Sequence, residues 1–191
     1  MTKLLPSGQL GHVAATRKSG DAAERVLSRD EFATARAEIT QWSGYEPTPL
    51  FELSSLADEI GVAEVLYKHE GPRFGLGSFK ALGGSYAALR VLQREISAKL
   101  GREVALADIR NGKYASDCAS ITLVSATDGN HGRSLAWGCQ RFGAPCRIYI
   151  HAEVSEGRAE AMRELGAEVI RIKGDYDESV ALAKDEAEAN N

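Results

Sequence analysis

From residue 121 onward the chain alternates short apolar runs with stretches of helical spacing, and that alternation limits the folds open to it. Ile121–Ser125, Cys146–Ile150 and Glu168–Ile172 read as strands. Between and after them, His131–Phe142, Ser155–Leu165 and Asp177–Ala189 read as helices, the first two closed by Gly143 and Gly166. Strand, helix, strand, helix at this pitch predicts βαβ units and a parallel sheet. Their crossovers should be right-handed. The expected class is α/β, a three-layer αβα architecture with parallel twisted sheets.

The first part of the chain is less regular. Residues 1–20 are polar and predict an arm or irregular entry. Phe32, Ala35, Ile39 and Trp42 recur at helical spacing and predict a helix over 28–42. Pro47-Thr48-Pro49 forces an extended path, because proline fixes φ and restricts the residue before it. A short helix over 53–60 should end at Gly61, and Val65–Lys68 reads as a strand. Gly71-Pro72 breaks that strand, and 73–77 is a glycine-punctuated loop. Ser78 can cap a helix running from Phe79 to Lys99. An amphipathic insertion follows over 103–110, then a polar stretch.

Composition removes several function classes. Apolar residues make up 43% and charged residues 26%, which excludes a disordered chain. The net charge is −4 and no basic stripe interleaves with aromatics, so nucleic acid is not an expected partner. No apolar run approaches the roughly 20 residues of a membrane span, and the N-terminus lacks the apolar core of a signal peptide. The three cysteines are an odd number without a C-x-x-C pair, which argues against a disulfide framework and for a reducing, cytoplasmic setting. The four histidines show no zinc spacing with them, and no metal is expected.

Two segments carry chemistry. In Arg73-Phe-Gly-Leu-Gly-Ser-Phe-Lys-Ala-Leu-Gly-Gly84, Lys80 falls in the first turn of a helix. A cation is disfavoured there by the helix's own partial positive charge. The same field favours the neutral, nucleophilic amine that a Schiff base requires. Gly83 and Gly84 each cost about 1 kcal/mol relative to alanine inside a helix; a cofactor or a backbone approaching closely would account for them. A solvated surface lysine is the competing reading. The second segment is Thr127-Asp-Gly-Asn-His-Gly132, between a strand and a helix, where open α/β sheets bind ligands. Its N–H groups can hold an anion such as a carboxylate. Asn130 can hydrogen-bond a phenolic oxygen and Asp128 can exchange a proton. Asp128 is also readable as only a helix cap, and His131 at a helix start reads as structural.

Together these segments resemble the pyridoxal-phosphate enzymes of the tryptophan-synthase β-chain type, which carry Ser-x-Lys on the cofactor helix and a later Gly-Asn-His turn. The matching residues are Ser78-Phe79-Lys80 and Gly129-Asn130-His131. Within that group the sequence is most similar to the diaminopropionate ammonia-lyases. That likeness rests on Gly44-Tyr-Glu-Pro-Thr-Pro-Leu50, on the 73–84 segment, and on Thr127-Asp-Gly-Asn-His-Gly-Arg133, where Asp128 stands in place of the usual serine. The resemblance implies pyridoxal 5'-phosphate as cofactor, held by Lys80 as a Schiff base, with Phe79 and Asn130 beside it. It implies that Thr127, Asp128, Gly129, Asn130 and His131 grip the substrate carboxylate, and that Asp128 is an acid/base at the α-carbon. The implied reaction is α,β-elimination of 2,3-diaminopropionate to pyruvate and ammonia, with a small amino acid as the only partner besides a second subunit in a homodimer.

The resemblance also implies a division into 1–85, part of the larger cofactor domain, and 86–191, the smaller αβα domain. Enzymes of this type are about twice as long, so the phosphate cup and the partner of the pyridine nitrogen are not found in this sequence, and a truncated fold is expected. Rival readings are a threonine or serine dehydratase, a non-catalytic αβ module, and, without a G-x-G-x-x-G after a strand, a plain nucleotide-binding domain.

Overall fold

The computed structural model describes residues 2–4, 10–12, 22–26 and 28–189, which fall into two compact units, Met1–Ala37 and Glu38–Asn191. In the first, β1 (Thr2–Leu4) pairs antiparallel with β2 (Leu10–His12), and α1 (Ala22–Val26) follows. Paired strands thus stand at 2–4 and 10–12 where the sequence predicts an irregular arm, and the other residues of 1–20 lie outside the described residues. Helix α2 (Arg29–Ile39) opens with a reciprocal cap. The Glu31 N–H donates to Ser28 Oγ at 3.1 Å, and the Ser28 N–H donates to Glu31 Oε2 at 3.1 Å, satisfying two helix-end donors at once.

The second unit starts where α2 ends, earlier than the helix expected to run to residue 42. Trp42 sits in the turn beyond it, buried against Phe74, Trp137 and Phe142. Strand β3 (Leu50–Glu52) follows the proline pair and pairs antiparallel with β4 (Leu66–Lys68), with α3 (Ser54–Ile60) between them. Gly61 ends α3 at φ 70°, a left-handed conformation open to glycine. The sequence showed β4 but not β3: three residues after two prolines carry too little periodicity to distinguish a strand from an extended loop.

Helix α4 (Lys80–Leu100) buries Ala81, Ser85, Ala88, Leu89, Leu92 and Ile96, a stripe at three- and four-residue spacing. Each of those leucines contributes roughly 1.5–3 kcal/mol by leaving water. Two short helices, α5 (Leu106–Arg110) and α6 (Ala115–Ala119), close this side of the core through Ile109 and Cys118. The second occupies what the sequence suggests is only a polar stretch.

The parallel sheet runs β5 (Leu123–Ala126), β6 (Cys146–Ile150), β7 (Glu168–Arg171), in that order. Helices α7 (Asn130–Phe142) and α8 (Glu156–Arg163) make the crossovers, and α9 (Tyr176–Ala189) returns across β6 and β5. By the right-handed rule for parallel crossovers, α7 and α8 share one face, and the reversed direction of α9 assigns it to the other. The result is the αβα sandwich expected from the alternation. On β6, Cys146, Ile148 and Ile150 are buried among Cys139, Ala159 and Met162. Arg147, on alternate register, pairs with Glu168 at 2.7 Å and with Glu186 of α9. All three cysteines are buried free thiols. The thiol of Cys139 is pushed far up by its hydrogen bond with Cys146 and then by burial.

Candidate active site

The segment leading to Lys80 is fixed by a buried arginine. Arg73 is 6% exposed and its guanidinium makes four hydrogen bonds. It donates to both carboxylate oxygens of Glu70, at 2.8 and 2.9 Å, to Thr48 Oγ1 at 3.0 Å and to the Glu46 carbonyl at 2.8 Å. It also lies over the Tyr45 ring, 5.4 Å from the centroid. Thr48 donates in turn to Glu70, and Lys68 Nζ donates to the Thr48 carbonyl at 2.5 Å. The Arg73 hydrogen bonds, aided by Thr48 and the charges of Arg73 and Lys68, outweigh burial and hold the Glu70 carboxyl at about 2 instead of 4.5. The Gly44–Leu50 and Arg73–Gly77 stretches, distant in sequence, are thereby stapled together.

At the end of that loop, Ser78 Oγ accepts the Lys80 N–H at 3.2 Å, and α4 begins at Lys80 itself, one residue later than expected. Helix α7 grips this start from the side. Ser134 Oγ donates to the Lys80 carbonyl at 2.5 Å, Ser85 Oγ donates to the Ser134 carbonyl at 2.8 Å, and Arg133 Nη1 reaches the Leu76 carbonyl at 3.1 Å. Gly84 explains itself here: a Cβ would lie 2.3 Å from Ser134 Oγ. Of the two explanations open for Gly84, the close approach is that of a helix. Gly83 faces open space.

The turn after β5 is organised by Thr127. Its buried hydroxyl accepts the N–H groups of Gly129 at 3.2 Å and Gly132 at 3.1 Å. A Cβ at Gly132 would stand 2.2 Å from Thr127 Cγ2 and 2.7 Å from Met162 Sδ, so the turn closes only on glycine. Asn130 and His131 open α7, where the first N–H groups of a helix have no intrahelical acceptor.

These elements converge on one cleft of about 440 Å³, within the roughly 300–1,000 Å³ of small-molecule sites. Lys80, Thr127, Asp128, Gly129, Asn130 and His131 all line it. Phe79 does not; it is exposed beside the cleft. Besides Ala126 at the end of β5, two polar lining residues went unseen in the sequence, Arg158 from α8 and Tyr176 from the start of α9. Neither belongs to a local motif: in sequence Arg158 reads as one polar residue on a solvated helix, and Tyr176 falls just before the helix expected over 177–189. Asp128 is the one carboxylate among the lining residues. Lys80 Nζ has no hydrogen-bond or ion-pair partner among the described residues, which leaves its amine available to an aldehyde. A primary amine, a side-chain amide, a carboxylate and free N–H groups in one cleft fit the aldehyde and phenolic-oxygen edge of pyridoxal phosphate together with an amino acid.

A parallel αβα sandwich with an unpaired lysine facing a turn of this kind defines a class. The profile of the pyridoxal-phosphate dependent enzymes matches residues 42–191, and the chain belongs to that family. Its fold is tryptophan-synthase β-chain-like. Within the family, the chain is 36% identical over 163 residues to the diaminopropionate ammonia-lyase of Escherichia coli K12, covering 85% of this chain and 40% of that protein. The apo crystal structure of the Escherichia coli enzyme superposes with a TM-score of 0.72 at 34% identity, over 85% of this chain and 43% of that one. The same enzyme in complex with D-serine also matches at a TM-score of 0.72 and 34% identity, over 85% of this chain and 40% of that one. This chain thus spans about 40% of the length of the ammonia-lyases it resembles.

Proposed function

We propose that the chain takes part in pyridoxal-phosphate-dependent α,β-elimination of 2,3-diaminopropionate, giving pyruvate and two ammonia molecules with uptake of one water. The observation that carries the reading is the shared cleft: Lys80, unpaired, opposite a turn whose one carboxylate is Asp128. Likeness to the Escherichia coli ammonia-lyase supports it. In this reading Lys80 Nζ holds the cofactor at its aldehyde, and the Asn130 amide donates to the phenolic oxygen. The cofactor supplies an electron-withdrawing ring that stabilises negative charge at the substrate α-carbon. Asp128 accepts the α-proton, and its carboxylate also favours a substrate with a cationic β-ammonium over a hydroxyl. The N–H groups of Asn130 and His131 hold the substrate carboxylate, while Thr127 keeps the turn closed.

Residues 1–85 and 86–191 would contribute to the larger and the smaller domain. The protein would act in the cytoplasm, in amino-acid catabolism, as a homodimer; buried thiols agree with a reducing compartment. The test adds pyridoxal phosphate to the full chain and records its visible absorbance. A band should form that is absent from Lys80→Ala. Release of ammonia and pyruvate from 2,3-diaminopropionate, and not from threonine or serine, should accompany it. A band with dominant threonine turnover would favour a dehydratase, and no lysine-dependent band would favour a non-catalytic module.

A further inference from the structure

Arg158 stands at the cleft in a setting that calls for an anion. It lies in the first turn of α8, where the helix's partial positive charge disfavours a cation. The other arginines of α8, β6 and β7 are paired with carboxylates. Arg163 contacts Glu156 at 2.5 Å and Glu160 at 3.0 Å, Arg171 contacts Glu156 at 2.8 Å, and Arg147 contacts Glu168 at 2.7 Å. Glu156, the acid in the first turn of α8, is held by two other arginines; Arg163 and then Arg171 lower its carboxyl below the usual range. Arg158 has no carboxylate partner among the described residues. Its Nη1 reaches the backbone carbonyl of Asp128 at 3.4 Å. The stem crosses Gly129, where a Cβ would touch Cδ at 3.6 Å and Nε at 3.8 Å. The guanidinium is thus steered onto the turn with its charge uncompensated, in a cleft it shares with Lys80.

A planar guanidinium offers paired donors that match a carboxylate, and such charge-assisted bonds are the strong ones. Resting on the amino-acid reading of this cleft, we infer that Arg158 binds the substrate α-carboxylate jointly with the 128–131 turn and makes the cleft select acids over their amides. Asp128 and Arg158 then divide the substrate between them, the carboxylate of the protein facing the reacting carbon and the guanidinium facing the carboxyl end.

The test titrates the pyridoxal-phosphate-loaded full chain with 2,3-diaminopropionate and with its carboxamide, following the cofactor absorbance, which needs no turnover. Wild type should bind the acid more tightly. Arg158→Met, which keeps the stem, should weaken the acid about tenfold and leave the carboxamide unchanged. Arg158→Lys, which keeps the charge without the fork, should fall between them, and both variants should unfold at the wild-type temperature because the position is exposed. Equal weakening of both ligands, or of neither, overturns the role of Arg158 alone. A wild-type chain that responds to neither ligand overturns the functional reading and this inference with it.

Discussion

Glu70 is a half-buried, ionised carboxylate, and the pH at which it gains a proton is a measurable property. Its side chain is 19% exposed, and the Arg73 fork with Thr48 and Lys68 holds its carboxyl at about 2, below its ordinary 4.5. A carboxyl depressed on folding contributes stability that is fully present above its unfolded value and is lost as pH falls through the folded one. Glu70→Gln should therefore cost about 3 kcal/mol near neutral pH, because it leaves a buried guanidinium short of its counter-charge. The gap to wild type should hold down to a pH of about 4.5 and close toward pH 2. Urea unfolding of both proteins across that range reads it, and a gap that widens in acid would remove the ion pair as its cause. The sequence marked Arg73 only as part of a motif. Its partners lie 3 to 27 positions away, and no local pattern predicts which carbonyl or carboxylate a buried arginine will find.

Helices α4 and α7 fix the spacing between the lysine and the turn, and glycines set how closely the two helices approach. A Cβ at Gly138 would meet the Ser85 backbone at 2.7 Å, and one at Gly84 would meet Ser134, which holds the Lys80 carbonyl. Gly84→Ala should force the helices apart and lower stability by about 1–3 kcal/mol. Gly83→Ala, one position away with open space around it, should raise stability by about 0.5–1 kcal/mol by removing glycine's backbone entropy. Thermal unfolding of the pair gives the sign of each. The helical period of α4, the glycine stops and the strand alternation after residue 121 were all legible, because each is a repeat within one element. The use of Gly84 was not, because it depends on which helix lies alongside. For the same reason Lys80 and the Asp128 turn could be singled out separately while Arg158 could not: it joins the cleft only once α8 has been folded over Gly129.

Across the second unit, stability should be distributed unevenly, and the site sits on the boundary. The sheet and α4 with α7 enclose a continuous core in which Leu89, Leu92, Ile96, Ile148 and Ile150 are fully buried. The β3–β4 pair has no such support: Phe51 is 46% exposed and Tyr67, stacked on it, 50%, while Leu50 and Leu66 on alternate register are also exposed. A two-stranded sheet with both faces open is marginal by itself. What ties it down is the Thr48–Lys68–Glu70–Arg73 network, and the same network anchors the loop that delivers Lys80. Opening of the β3–β4 pair and loosening of the Lys80 segment should therefore be one event, separate from unfolding of the parallel sheet. Amide hydrogen exchange should show fast exchange over residues 50–52 and 66–68 and slow exchange over β6 and the middle of α4. Glu70→Gln should accelerate exchange in β3 and β4 and over 73–80 while leaving β6 close to wild type. Acceleration spread evenly over the chain would mean that the network supports global folding and that the lysine is not held by a locally separable clamp.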